Sequence, residues 1–137
     1  MLKASDCDYV WGREHLEREA KILELAKEVE GITPLIRKSP DTERWINIML
    51  KEFFEGKEIW GRVKKISTYL QEKLEKTVRD LHSLGIANLD LHRNNIVISP
   101  DERDICLIDL GHGTFSRDVG SSYFRGFEYL AQSLTSI

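Results

Sequence analysis

Two stretches of the chain repeat apolar residues at helical spacing, and short β-branched runs bounded by turn residues lie between and after them. Over residues 14–30, Leu16, Ala20, Leu23 and Ala26 fall on one face and Gly31 offers a stop, which predicts an amphipathic helix. Glu19 lies inside that apolar stripe, whereas Glu17 projects elsewhere. A carboxylate on a buried face needs a partner, so Glu19 is expected to be at least partly buried against a cation. A second helix over residues 67–84 carries Leu70, Leu74, Val78, Leu81 and Leu84 on one face and ends at Gly85.

Between the helices, Thr33-Pro34-Leu35-Ile36-Arg37 reads as a short strand and Ser39-Pro40-Asp41-Thr42 as a turn. Arg44-Trp45-Ile46-Asn47-Ile48-Met49-Leu50 alternates well enough to be the antiparallel partner of that strand. After the second helix, Asn95-Ile96-Val97-Ile98 and Ile105-Cys106-Leu107-Ile108 flank Ser99-Pro100-Asp101-Glu102-Arg103-Asp104, which has turn chemistry throughout. A hairpin there brings Asn95 and Asp109 to the same end. The order of elements predicts an α+β fold: a small antiparallel sheet carrying one helix, joined to a helical part that holds the hairpin.

Composition narrows the class. At 137 residues the length favours one domain, and 41% hydrophobic with 31% charged residues argues against disorder. The formal charge of -3 gives no electrostatic case for DNA or for an anionic membrane. No apolar run approaches a membrane span and the N-terminus lacks a signal-peptide pattern, so a cytoplasmic protein is expected. Cys7 and Cys106 make no disulfide framework, and Cys106 is most simply a small buried hydrophobe in a strand.

Candidate chemistry is concentrated in Asp90-Leu91-His92-Arg93-Asn94-Asn95 and Leu107-Ile108-Asp109-Leu110-Gly111. Metal-assisted phosphoryl transfer needs hard oxygen ligands for a cation such as Mg2+ and a carboxylate near the attacking hydroxyl. Asn95 and Asp109 are the candidate metal ligands. Asp90 is then the carboxylate left to accept or orient the hydroxyl proton. The plainer alternative is that all three are loop residues, since Asp and Asn favour turns for local hydrogen-bonding reasons.

These two motifs resemble the catalytic and metal-binding loops of the protein-kinase-like superfamily. D-L-H-x-x-N-I followed by I-D-L-G is similar to its small-molecule and archaeal branches: aminoglycoside phosphotransferases, lipopolysaccharide kinases, and the Bud32 and RIO kinases. The resemblance runs from Lys3 to Gly111 and is strongest from Leu81 on. It implies a truncated kinase-like fold, with residues 1–55 as a reduced N-lobe lacking the glycine-rich hairpin and residues 56–137 as a reduced C-lobe. ATP and Mg2+, with Mn2+ as the alternative, are the implied cofactors.

Within that resemblance, Lys3 corresponds to the strand lysine that pairs with the helix glutamate, here Glu19, with Lys51 as the second candidate partner. Glu52-Phe53-Phe54-Glu55-Gly56 resembles the hinge whose main-chain groups meet adenine, although aromatic residues ending a strand are commonly core. Lys51 stands where the family usually has an apolar or small residue. It either points into the nucleotide site or, as the favoured expectation, is a solvent-facing edge lysine. His92, a catalytic candidate beside Asp90, either contacts the transferred phosphate or supports the loop, and Arg93 and His112 are further phosphate candidates. His15 and His82, on helices, need no chemical role. Gly120-Ser121-Ser122-Tyr123-Phe124-Arg125-Gly126-Phe127-Glu128 faintly resembles the end of an activation segment, with a simple terminal helix as the favoured alternative.

The resemblance implies a minimal, atypical kinase-like phosphotransferase or ATPase. The alternatives are a weakly active or inactive kinase-like module acting through a protein partner, and a metal-binding domain without nucleotide. Acceptors in these branches include sugars, lipopolysaccharide, antibiotics and protein serines, and the sequence does not choose among them. A homo-oligomer is open as well.

Overall fold

The computed structural model describes residues 2–4, 10–39, 48–59, 66–87, 89–91 and 93–115, with the side chains of 4, 10–13 and 93 outside that description. In chain order the elements are β1 (Leu2–Ala4), α1 (Val10–Leu25), β2 (Leu35–Lys38), β3 (Ile48–Lys51), β4 (Lys57–Glu58), α2 (Thr68–Ser83), β5 (Ile86–Ala87), β6 (Ile96–Ile98), β7 (Ile105–Leu107) and β8 (Thr114–Phe115). A short 3-10 turn, Arg93–Asn95, leads into β6. The architecture is α+β, with small antiparallel sheets and two helices among the described residues, and it is compatible with a truncated kinase-like fold.

The first sheet has strand order β1-β3-β2, so β3 is central. Its alternation leaves Ile48 and Leu50 exposed and buries Met49 and Lys51 toward α1. The face of α1 that meets the sheet carries Leu16, Ala20, Leu23 and Ala26, all buried as the apolar stripe predicts. The helix is shorter at its C-terminus than its periodicity implies, ending at Leu25. Tertiary pairing wins there: Gly31 accepts from Leu107 N at 2.8 Å and Ile32 bridges Leu107 in parallel, so the chain must turn after Leu25 to reach β7.

The second helix matches its expectation closely. Ser67 caps α2 by accepting from Leu70 N, and Leu70, Leu74, Val78 and Leu81 are buried. Gly85, with φ 78°, takes the left-handed conformation that stops the helix. Leu84 is the exception to the predicted face, because as the C-cap it stands exposed.

The 99–104 turn closes the β6–β7 hairpin in the expected register, with Ile96 opposite Leu107 and Ile98 opposite Ile105. Ser99 N donates to Asp104 O and Asp104 N to Ser99 Oγ, each at 2.9 Å, and Glu102 adopts φ 57°. Two short pairings were not anticipated: β4 adds to β6, and β5 to β8. Both involve two-residue strands, too short to leave a periodic signal. Among the described residues no helix is long and apolar enough to cross a membrane.

Candidate active site

The site lies where α1, β3 and the end of the β6–β7 hairpin meet. Its innermost group is Glu19, buried completely. In the β1–β3 ladder Lys3 faces Met49, and Lys51 is two residues beyond Met49 on the same inward face. Both lysines therefore reach α1. Lys3 Nζ donates to Glu19 Oε2 at 2.7 Å and Lys51 Nζ to Glu19 Oε1 at 2.7 Å.

The expectation for Glu19 holds with both candidate cations at once. That for Lys51 is corrected: its side chain is buried completely. The edge reading fails because β1 covers the other side of β3, a pairing between residues almost fifty positions apart that local pattern does not reveal. Burial pulls the Lys51 ammonium below the ordinary lysine range, and Glu19 works against that shift. Lys51 also donates to the main-chain oxygen of Ile108, the residue before Asp109.

Asp109 stands at the mouth of this cluster. Its Oδ1 accepts from Gly111 N at 3.0 Å and faces His15 Nε2 at 3.2 Å; its Oδ2 lies 3.6 Å from Lys3 Nζ. Burial pushes the carboxyl upward, but the His15 and Gly111 hydrogen bonds and the Lys3 charge outweigh it and hold Asp109 below the usual carboxylate range. An ionised carboxylate only accepts, so His15 carries its proton on Nε2 in this contact.

His15 has a role that the sequence did not suggest. It precedes Glu19 by one helical turn, and its partner lies 94 residues away. The only local signal was the shared helix face of positions four apart. Gly111 is part of the same arrangement: a Cβ there would overlap the His15 ring, so the absence of a side chain lets the imidazole lie against the turn after Asp109. The His15 ring also meets the His112 ring edge-on at 4.8 Å between centroids. Arg18 Nη1, one residue before Glu19, donates to Gly111 O at 3.4 Å.

The hairpin brings the polar residues of the second half to the same mouth. Ile108 N donates to Asn95 O at 3.0 Å, extending the ladder by one step, so Asn95 and Asp109 are at one end. Asn95 is buried, and its Nδ2 donates to Asp90 O at 3.0 Å and approaches Asp90 Oδ2 at 3.5 Å. Asp90 has φ 52°, a left-handed conformation that Asp tolerates better than most residues. Its Oδ2 lies 3.6 Å from His112 Nε2. The two carboxylates are thus linked through a histidine pair, Asp109 to His15 and His112 to Asp90.

The donor set suits the divalent cation implied by the motifs. An amide oxygen on Asn95 and an ionised Asp109 carboxylate are hard donors on adjoining residues of one ladder. His15, Glu19 and Asp109 also bring one ligand atom each within 4.8 Å of one another. Glu19 is nonetheless unsuited to a cation, because each of its oxygens already accepts from an ammonium group.

The hinge residues are less informative. Residues 52–55 run between β3 and β4 without regular structure, Glu52 N donates to Pro34 O at 2.9 Å, and Phe53 is 73% exposed. The Glu52 amide is therefore engaged within the fold. Phe54 is half-buried. His92, the side chain of Arg93, and residues 120–128 lie outside the described residues.

A helix glutamate held by a strand lysine, beside a hairpin that presents Asn and Asp at one end, is compatible with a kinase-like protein. The chain belongs to the lipopolysaccharide core biosynthesis protein (WaaY) family, whose model matches residues 41–121, more than half of its length. No curated protein matches it.

Proposed function

We propose that the chain is a kinase-like phosphotransferase of lipopolysaccharide core assembly, taking the γ-phosphoryl group of ATP to a hydroxyl of a core sugar. The family's description supports the acceptor class and turns the reading away from protein serines. The observation that carries the phosphotransfer reading is the chain of contacts from buried Glu19 through Lys3 to Asp109, at 2.7 and 3.6 Å. It sets a cation and a carboxylate at the mouth, next to Asn95 and Asp90. On this reading residues 1–55 belong to an N-lobe and residues 56–137 to a C-lobe.

In the proposed reaction Lys3 faces the phosphates and Asp90 accepts the proton of the attacking sugar hydroxyl as the new O–P bond forms and ADP departs. Asn95 orients Asp90 through its Nδ2 and, with Asp109, would hold the divalent cation. That cation, when bound, neutralises phosphate charge. His15 and Gly111 fix the Asp109 carboxylate, and His112 stands beside Asp90. Catalysis of this kind depends on positioning and electrostatics more than on covalent chemistry by the protein.

The test is transfer of labelled γ-phosphate from magnesium ATP to lipopolysaccharide core oligosaccharide freed of phosphate. Asp90→Asn should lower the rate by about 10² to 10⁴, the usual worth of a general base. No transfer to the core, with no phosphate released to water, would favour instead a kinase-like module that acts through a partner.

A further inference from the structure

The turn that follows Asp109 is pressed onto α1 at three points. Arg18 donates to Gly111 O at 3.4 Å, the His15 ring fills the space that a Cβ at Gly111 would need, and Ile22 does the same at Gly113. Gly113 N donates to Leu110 O at 2.9 Å and closes the turn. His112 stands between these two glycines, so the helix surface sets the place of its backbone.

The same helix reaches the carboxylate. Asp109 Oδ1 is held by His15 Nε2 at 3.2 Å and Gly111 N at 3.0 Å, while Oδ2 is turned toward Lys3 at 3.6 Å. Across the mouth, His112 Nε2 lies 3.6 Å from Asp90 Oδ2, and the two imidazoles meet edge-on with 81° between their planes. Contacts therefore run from Asp109 through His15 and His112 to Asp90. Both rings are half-buried, so core packing alone calls for neither.

Phosphoryl transfer makes the gap between these carboxylates matter. The hydroxyl on the base and the phosphorus on the cation must meet at about 3 to 3.5 Å, and a misplacement of about 1 Å can cost roughly 10²-fold in rate. We infer that His15 and His112 are positioning residues that act as one brace: packed edge-on, they hold Asp90 and Asp109 at a fixed separation and tie both to α1. The catalytic consequence rests on the phosphotransferase reading above. The brace itself does not.

Two measurements on the whole chain separate them, with circular dichroism used to confirm that each variant is folded. The first uses no nucleotide and follows the ring Cε1–H signals of the four histidines by NMR. Asp90→Asn should move the His15 signal, and should no longer do so once His112→Ala is present. A His15 signal that ignores Asp90→Asn, or that moves equally without His112, would overturn the inference.

The second is steady-state transfer from magnesium ATP to the core oligosaccharide. His112→Ala should lower kcat about 10- to 100-fold and leave KM for magnesium ATP within about twofold, because Asp109 keeps its own donors. His15→Ala should lower kcat by a similar factor and also raise the Mg2+ needed for half-maximal rate about tenfold, because Oδ1 loses a donor. His15→Gln, whose amide can donate to Asp109, should restore the Mg2+ requirement but not kcat, since it offers His112 no ring. The double alanine variant should be slower than His15→Ala by no more than about threefold, as the brace is already broken. Single losses that multiply in the double variant would mean two independent contacts and would contradict the inference. If the wild-type chain transfers no phosphate, the phosphotransferase reading falls, and the NMR comparison still decides whether the brace exists.

Discussion

Lys51–Glu19 under the first sheet and Lys76–Asp80 on the outer face of α2 are ion pairs of nearly equal length, 2.7 and 2.6 Å. Their surroundings differ completely: the first pair is 0% exposed on both sides, whereas the second is 64% and 37% exposed. Lys73–Asp104, at 2.6 Å, and Arg79–Glu75, at 3.5 Å, belong with the surface class. Water and salt screen such pairs, and two long side chains lose rotamer freedom to make them. The buried cluster has lost its water, so solvent does not offset the removal of a partner there. Distance alone does not rank these contacts; burial does.

The largest expected effect comes from emptying the centre of the buried cluster. Glu19→Ala removes the carboxylate that faces the fully buried Lys51 ammonium, and should cost about 3 to 5 kcal/mol in urea unfolding. Glu19→Leu combined with Lys51→Met should recover most of this, because an apolar pair of similar volume needs no counter-charge. A double variant as unstable as Glu19→Ala would mean that packing, not charge, sets the cost.

Next comes the contact between His15 and the turn after Asp109. Gly111→Ala drives a methyl group into the imidazole and should cost about 1 to 3 kcal/mol, the usual range for overpacking. Placing His15→Ala in the same chain should return part of that loss. No recovery would show that the overlap is relieved by moving backbone and not by the ring.

The acid limb of stability should be smaller but distinct. Asp109 is held below the usual carboxylate range, whereas in the unfolded chain it titrates near an ordinary value of about 3.9. Its contribution is therefore complete above roughly pH 4 and is lost as the pH falls toward the lowered folded value. Asp109→Asn should make the fall in urea midpoint below pH 4 shallower, and an unchanged slope would contradict the hydrogen-bond pattern around Oδ1. At the small end, Lys76→Ala should leave the melting temperature unchanged within error. A loss on the scale of Glu19→Ala would break the comparison.

How much of this was visible beforehand follows the range of the interactions. The stripe Leu16, Ala20, Leu23 and Ala26 exposed Glu19 as a buried carboxylate, because four-residue spacing is a local property of a helix. The hairpin register was equally legible, since turn residues and β-branched runs sit side by side. The burial of Lys51 is not legible locally, because it depends on β1 joining β3 from a distant part of the sequence. The role of His15 is hidden for a similar reason, as its partners Asp109, Gly111 and His112 all belong to the other half of the chain. The early end of α1 also came from tertiary pairing, that of Gly31 and Ile32 with Leu107. Cys106 needed no long-range information. It is buried as expected, and burial pushes its thiol up to about 12, which leaves it inert.

The most direct test of the phosphotransferase account is a thermal shift with Mg2+ and ATP. A ligand that binds only the folded chain, at about one hundred times its dissociation constant, adds roughly 2.7 kcal/mol. For a domain of this size that corresponds to a rise of about 10 °C. The account expects this rise to require magnesium and to vanish in Asp109→Ala. No shift at millimolar magnesium ATP, or a shift that survives Asp109→Ala, would contradict it.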